Sequence, residues 1–480
     1  MNRNLHRIVF NRALGVLQVV AETARRKRPG ASGAAAARRR VLATLLPLRF
    51  ALAIALGQAL VVPMASAQIV ADPDAPAQQR PTVLRAANGV PLVNIQTPSA
   101  AGVSRNTYRQ FDVDHPGAVL NNSRTNTRTQ LGGWVQGNPW LATGAARVIL
   151  NEVNSSNPSL LRGYVEVAGE RAQLVIANPA GISCDGCGFI NAERATLTTG
   201  TPVFNGGSLE AYRVEGGTIR ISGQGMDARD TQYADLIARA VAVNAGIWAQ
   251  RLQVTTGANA LDADHAEVRT IAPDGDPPAF ALDVGALGGM YSRKIVLVGT
   301  EHGVGMRNAG ALGAQIGQLV VTADGRLENS GTMQAQADVR IDASGGITNT
   351  GTISAGRTLA VSTPGSIDND RGTLNARRVA AHARSLTNRG GAIEQTGSQG
   401  LTLRAALLAN RAGGRIGLAA AEAATPPDNA RNPGDTAAPG TSGQTHGARR
   451  DDAADGAVRP SHTRGASLAD GELVIAATLD

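Results

Sequence analysis

LVVTADGRLENSGTMQAQAD (319–338), VRIDASGGITNTGTISAGRT (339–358) and LAVSTPGSIDNDRGTLNARR (359–378) are three lines of one pattern. Asn329, Asn349 and Asn369 take the same place in each line, and the ladder continues to Asn308 on one side and to Asn388 and Asn410 on the other. A glycine follows two or three residues after the first five, at Gly310, Gly331, Gly351, Gly372 and Gly391. Apolar residues keep the same beat in three columns: Leu319, Val339, Leu359, Val379, Leu401; Leu312, Met333, Ile353, Leu374, Ile393; and Leu327, Ile347, Ile367, Leu386. A fixed period near 20 marks a stacked repeat.

Within each unit the apolar positions alternate, as in Val339 and Ile341 or Leu359 and Val361. Period two means strand, with one face inward. The units are rich in Gly, Thr, Ser and Asn and lack 3.6-residue spacing, which argues against helices. Three short strands per unit describe one coil of a right-handed parallel β-helix, so the fold class is all-β. Coils then stack at roughly 4.8 Å, and asparagines can hydrogen-bond from coil to coil. The glycines are expected to supply turn conformations that other residues resist. A leucine-rich horseshoe has a similar period but needs a denser leucine consensus.

The charge is lopsided. Residues 1–67 hold 11 Lys plus Arg and one acid, Glu22, a balance of +10 against +8 for the whole chain. The remaining residues are near neutrality at −2, which undercuts nucleic-acid binding, since that needs a basic face on the folded domain. After Arg38, Arg39 and Arg40 comes an apolar stretch over 50–62, then Ala65-Ser66-Ala67, with Gln68 as the expected new N-terminus. This order of charge, short apolar run and A-x-A is a secretory signal. The apolar run is too short to span a bilayer comfortably. No later segment reads as a spanning helix, so the mature chain is expected to be exported and soluble.

The expected organisation is a signal peptide over 1–67, an irregular capped domain over 68–300, a β-helical rod of ~20-residue repeats over 301–418, and a low-complexity disordered tail over 419–480, within which 471–479 reads as one last strand-like run. The division at 300 rests on aromatics: in the mature chain they all fall between Tyr108 and Tyr291. Strand signals in the first domain include 173–177 and 217–221. Residues 235–243 read as either a short helix or a strand.

The densest motif is Asn178-Pro179-Ala180-Gly181-Ile182-Ser183-Cys184-Asp185-Gly186-Cys187. Asn-Pro-x-Gly reads as a β-turn, placed where a β-helix turns a corner. Asn138-Pro139-Trp140-Leu141 is a second such turn. With 90–95, 111–113, 119–122, 195–200 and 289–291, these stretches resemble the secretion domain of two-partner-secretion exoproteins, the filamentous haemagglutinin family. The block from Asn4 to Glu22 resembles the extended signal-peptide region of the same large Gram-negative exoproteins, with His6 where Tyr is more usual. The third position of both turns departs from the family's usual Asn.

The resemblance implies a capped N-terminal secretion domain that folds as a β-helix. It implies export through the periplasm by a dedicated outer-membrane transporter that reads the unfolded domain with its POTRA domains. Asn138, Pro139, Asn178, Pro179 and Gly181 are the residues it associates with secretion; the alternative is that they only shape turns. Family members run to thousands of residues, whereas here the repeats end after about six coils.

Chemistry is sparse. Cys184 and Cys187 make half a zinc site with no second pair, and a redox site would want a thioredoxin-like context. In an exported protein a structural disulfide is the expected state, with idle thiols and metal or redox chemistry as alternatives. Asp342, Asp368 and Asp370 are expected in solvated turns. His115, His302 and His382 show no ligand spacing. No enzyme activity, metal or cofactor is therefore expected. The function expected is that of a secreted or surface-exposed adhesin, with a host-cell or bacterial receptor as a further partner. The alternatives are a truncated stem of a contact-dependent growth-inhibition toxin exoprotein and a β-helical polysaccharide-active enzyme.

Overall fold

The computed structural model describes residues 6–11, 16–21, 68–398, 400–419 and 468–475. Most of the signal peptide, with Ala65 and Ala67, and residues 420–467 of the expected disordered tail lie outside them. Two compact units are distinguished, 1–65 and 66–480. In the first, His6–Asn11 pairs antiparallel with Val16–Ala21.

The second unit is a parallel β-helix of about 12 turns. Between the two ends of the stack, each strand of a coil pairs in parallel with a strand one coil earlier and one coil later, so three faces run along the stack. The first face passes through Val103–Phe111, Val148–Val153, Ala172–Ala177, Ala192–Thr198 and Tyr233–Ala238. It continues through Arg251–Thr256, Lys294–Gly299, Leu319–Ala323 and Val339–Ala343. The second face begins at Ser159–Leu161 and Ile182–Cys184, and the third includes Ala118–Asn122, Tyr164–Gly169 and Cys187–Ile190. Late in the stack single strands round a corner: in Thr352–Ser362, residues 352–355 lie on the third face and 358–362 on the first.

The three apolar columns read from the sequence are in register. Leu319 pairs with Val339, Val339 with Leu359, Leu359 with Val379 and Val379 with Leu401. All five are fully buried, each stabilising the stack by about 1.5–3 kcal/mol. The columns Leu312 to Ile393 and Leu327 to Leu386 pair in the same way. The in-register coils expected across 308–410 are thus present. Residues 235–243 are strand, split between Tyr233–Ala238 and Ala240–Val243; a segment buried by coils on both sides takes its hydrogen bonds from them.

The ladder glycines require a correction. None of Gly310, Gly331, Gly351, Gly372 and Gly391 has a positive φ. Their constraint is space: a Cβ on Gly331 would lie 2.0 Å from the Gly310 carbonyl oxygen, and one on Gly351 2.1 Å from that of Gly331. Glycine lets successive coils touch backbone to backbone.

The N-terminal end of the stack is closed by antiparallel pairs, Ile69–Ala71 on Val103–Phe111 and Thr82–Arg85 on Pro91–Asn94. At the other end Leu468–Ile475, inside the expected disordered tail, pairs antiparallel with Leu401–Arg411. Two excursions leave the coils. Thr127–Thr129 and Gly133–Val135 form a hairpin. Thr201–Asn205, Ser208–Val214, Asn259–Asp262 and Val268–Thr270 form a separate antiparallel sheet. The coil stack passes residue 300 unbroken, Gly299 pairing with Ala323.

Candidate functional site: two asparagine-proline corners

Asn178 follows the first-face strand Ala172–Ala177, and Ile182–Cys184 opens the second face, so 178–181 is one corner. Pro179 fixes its own φ, and Gly181 sits at φ +117°, where a side chain would be strained. The Gly181 N–H donates to the Asn178 carbonyl at 3.0 Å and closes the β-turn. The Asn178 side chain works in two directions. Its Oδ1 accepts from the Ala180 N–H at 2.9 Å, and its Nδ2 donates to the Asn157 carbonyl and to Ser159 Oγ, both at 3.0 Å. The Ser159–Leu161 strand belongs to the preceding coil, so one amide both shapes its own turn and holds the neighbouring coil.

Asn138 repeats the device. Its Oδ1 accepts from the Trp140 N–H at 3.0 Å, and its Nδ2 donates to the carbonyls of Ile95 and Asn121 at 2.9 and 3.0 Å. Residues 139–141 form a single 3₁₀ turn that Pro139 opens. Around it Asn121 Nδ2 donates to Asn94 Oδ1 at 2.8 Å, and Asn122 Nδ2 reaches the carbonyls of Ala146 and Glu170 at 2.9 Å. The structure therefore gathers Asn94, Asn121 and Asn138 into one network, with Asn122 tying the neighbouring Ala146 and Glu170 backbone beside it.

Exposure separates the residues of each motif. Asn138 is 3% exposed and Asn178 is 0% exposed. Pro139, Trp140 and Pro179 face solvent, and Ala180 is half-buried. The third position, where the sequence departs from the family pattern, is thus the outward one, and Trp140 there donates from Nε1 to Thr82 Oγ1 at 3.2 Å.

Cys184 ends its second-face strand, Cys187 begins the third-face strand Cys187–Ile190, and a disulfide joins them across that corner. Gln68 is exposed just ahead of Ile69–Ala71. The acids expected in turns are on strands instead: Asp342 in Val339–Ala343, and Asp368 and Asp370 in Ser366–Asp370. Outward positions of a strand take polar residues as readily as turns do. Asp342 pairs with Arg340 at 2.8 Å, and Asp368 accepts from Ser366 Oγ at 2.8 Å.

Beside the Asn138 corner lies a cleft of about 760 Å³ lined by Ser123, Arg124, Asn138, Pro139, Leu141 and Gly169. The hairpin above it is held by Glu166, whose carboxylate accepts from the N–H groups of Gln130 and Leu131 at 2.7 and 2.8 Å. Farther along, the Tyr164 hydroxyl donates to Asp227 at 3.0 Å, and Arg229 donates to the same carboxylate at 2.9 and 2.7 Å. The Arg229 hydrogen bond, against the cost of burial, holds the Asp227 carboxyl below its ordinary range. Burial and then Asp227 raise the Tyr164 phenol.

Sequence reasoning missed a buried polar cluster under the separate sheet. Arg194 Nη1 lies 2.8 Å from His265 Nδ1 and 3.6 Å from Asp235, and His265 Nδ1 lies 3.4 Å from Asp235. The three come from segments with no shared period, so no local signal marked them.

Comparison with known proteins agrees with the motifs. Residues 67–329 match the model of the TPS secretion domain, and residues 1–51 match that of the Extended Signal Peptide of Type V secretion system. The chain is 56% identical over 346 residues to Toxin CdiA of Yersinia pestis, covering 71% of this chain and 10% of that one. It is 46% identical over 343 residues to tRNA nuclease CdiA-2 of Burkholderia pseudomallei, covering 70% of this chain and 11% of that one. It therefore spans about a tenth of the length of these curated relatives. A solved structure described as the crystal structure of filamentous hemagglutinin secretion domain aligns with 29% identity and a TM-score of 0.47, over 73% of this chain and 99% of that one.

Proposed function

Since this chain belongs to the family of two-partner-secretion exoproteins built on the TPS secretion domain, we propose that it is the secretion module and first rod segment of a contact-dependent growth-inhibition exoprotein. Its extended signal peptide and secretion domain direct it through the periplasm to the cell surface or beyond. The further steps are our reading. A cognate outer-membrane transporter takes up the unfolded domain through its POTRA domains. Residues 68–300 serve as the secretion module and 301–418 as rod. The nuclease activity named for the relatives would reside outside these residues, and this part would be a scaffold without catalysis.

The observation that carries the proposal is the secretion-domain match at the head of an unbroken coil stack. The two asparagine-proline corners add a division of labour. Asn138 and Asn178 are buried and bonded to neighbouring coils, so a partner could read their side chains only before folding. Once outside, the same side chains lock each new coil onto the last, and coils that add one by one would favour outward movement. The relatives favour the toxin-stem reading over a free-standing adhesin.

Two measurements test this. Deleting the gene for the partner transporter should abolish surface exposure and strand the chain in the periplasm; undiminished surface exposure would reject the proposal. Replacing Pro179 by Ala, which leaves the Asn178 clamp in place, separates the two roles of the motif. Loss of secretion with unchanged stability of the purified domain would support reading before folding.

A further inference from the structure

The Cys184–Cys187 disulfide lies where no reagent reaches it in the folded protein. Cys184 is 0% exposed and Cys187 is 2% exposed, and both belong to the continuous core of the stack. Cys184 is sandwiched between Leu161 of the coil before and Ile221 of the coil after, and Cys187 is covered by Met226 of the later coil. That later coil seals the corner. The Gly186 N–H donates to the Gly225 carbonyl and the Gln224 N–H to Asp185 Oδ1, both at 2.9 Å. A Cβ on Gly223 would run into the same carboxylate, so the two corners are pressed together.

Thiol–disulfide exchange needs a sulfur that a second molecule can attack. Once Thr218–Ile221 and Met226–Ala228 have been laid down, neither sulfur offers that approach. Closure of the bond therefore precedes the winding of that coil. The reduced chain is able to wind as well, since the Gly225 carbonyl stands 3.2 Å from Cys184 Sγ, within reach of a thiol proton. Two thiols buried in that way stay thiols. The redox state of the finished coil thus preserves the order of the two events, and a closed bond at this corner means that oxidation came first.

We infer that a disulfide-bearing oxidoreductase of the periplasm closes this bond before translocation, and that the chain crosses the outer membrane with the ring already formed. The inference rests on the export route proposed above, in which coils wind only outside the cell. The periplasm is then the last oxidising compartment that meets the chain unwound. One cysteine thiolate attacks the oxidant's disulfide and displaces one of its sulfurs as a thiolate. The other attacks the chain's sulfur in the mixed disulfide and displaces the second. The chain loses two electrons and two thiol protons, and the oxidant leaves as the dithiol that carries them. Only Asp185 and Gly186 separate the cysteines, so the ring is a local turn, much smaller than a coil, and leaves the rest of the chain free to thread.

The test begins with the full chain in a strain that lacks the transporter and so holds it in the periplasm. The chain has two cysteines, so every thiol tag reports on this pair. After acid quenching and denaturation, a mass-tagged maleimide should add nothing until dithiothreitol is supplied, and should then tag each cysteine. Free thiols in the retained chain, beside a disulfide in the surface-exposed chain of the parent strain, would overturn the order. In a strain without periplasmic thiol oxidants, the surface-exposed chain should carry both thiols, unreactive until it is denatured. Purified mature chain, residues 68–480, supplies a second arm. Dithiothreitol should reduce the native bond at least about a hundredfold more slowly than the bond of the urea-unfolded chain. Refolded reduced chain should resist oxidised glutathione to the same degree; if it does not refold, the dithiothreitol rates alone decide. Rapid exchange in the folded state would mean that the bond can close at the surface, which ends the inference. The arms fail separately from the export route: surface exposure without the transporter strikes that route, while the purified chain still decides whether oxidation has to precede winding.

Discussion

Asn349 donates from Nδ2 to Oδ1 of Asn369, one coil on, at 2.8 Å, and in turn accepts from Asn329 Nδ2 at 2.7 Å. The same bond links Asn308 to Asn329, Asn369 to Asn388 and Asn388 to Asn410, at 2.7 to 2.8 Å. Each buried amide therefore makes its neighbour's hydrogen bond complete. The ladder starts at Asn308 because the preceding coil places Val284 there, and Asn308 Oδ1 has no partner.

This makes the cost of losing a rung depend on its place. Asn349→Ala should strand an acceptor on one side and weaken a donor on the other, at about 1–3 kcal/mol for each buried group left unpaired. Asn308→Ala breaks a single ladder bond and should cost less. Urea midpoints of the two variants decide it; equal losses would mean that the ladder does not act as a chain of bonds.

Gly351→Ala should destabilise the rod by about 1–3 kcal/mol, the usual cost of forcing atoms into a packed region. The new Cβ would meet backbone rather than a side chain that could move aside. Gly216, with open space around it and no positive φ, is the control. Gly216→Ala should stay within about 0.5 kcal/mol of the parent.

The ladder and the three apolar columns could be read from the chain because a solenoid writes its spatial period into its sequence. Leu319, Val339 and Leu359 are neighbours in space for the same reason that they are evenly spaced. What lacked a period could not be read. Ser208–Val214 pairs with Asn259–Asp262 across two intervening coils, and nothing local announces it. The same holds for His265, which reaches Arg194 and Asp235 only through that sheet. The asparagine-proline motifs showed their turns in sequence, but not that their side chains point inward, since that depends on which carbonyls the neighbouring coil presents.

Alkali should unfold the domain through its buried phenols. Tyr108 is fully buried, donates to Asn151 Oδ1 at 2.9 Å, and is pushed well above its ordinary pKa by burial. Burial, followed by the Asp235 charge, raises Tyr212 as well. The folded state keeps both protonated while the unfolded chain ionises near pH 10, so this stability is intact below about pH 10. Above it, each group removes about 1.4 kcal/mol per pH unit. Tyr108→Phe should flatten the alkaline fall of the urea midpoint; an identical slope in parent and variant would exclude Tyr108 as a cause.

Arg239 and Glu301 form a buried, two-pronged ion pair. Nε donates to Oε2 at 3.1 Å and Nη2 to Oε1 at 2.8 Å, with Nη2 also reaching the Gly275 carbonyl. The Glu301 hydrogen bond outweighs burial and raises the guanidinium pKa further, so Arg239 stays charged. Removing one partner leaves a buried charge unanswered, and Glu301→Ala should cost about 3–5 kcal/mol. Replacing both, as Arg239→Met/Glu301→Leu, removes both desolvation penalties together and should recover most of that loss. If the double variant is instead as unstable as the single one, the pair contributes through its bonds to the 274–275 loop rather than by cancelling charge. Hydrogen exchange of that loop would then rise in the double variant, which loses Arg239, more than in Glu301→Ala, which keeps it.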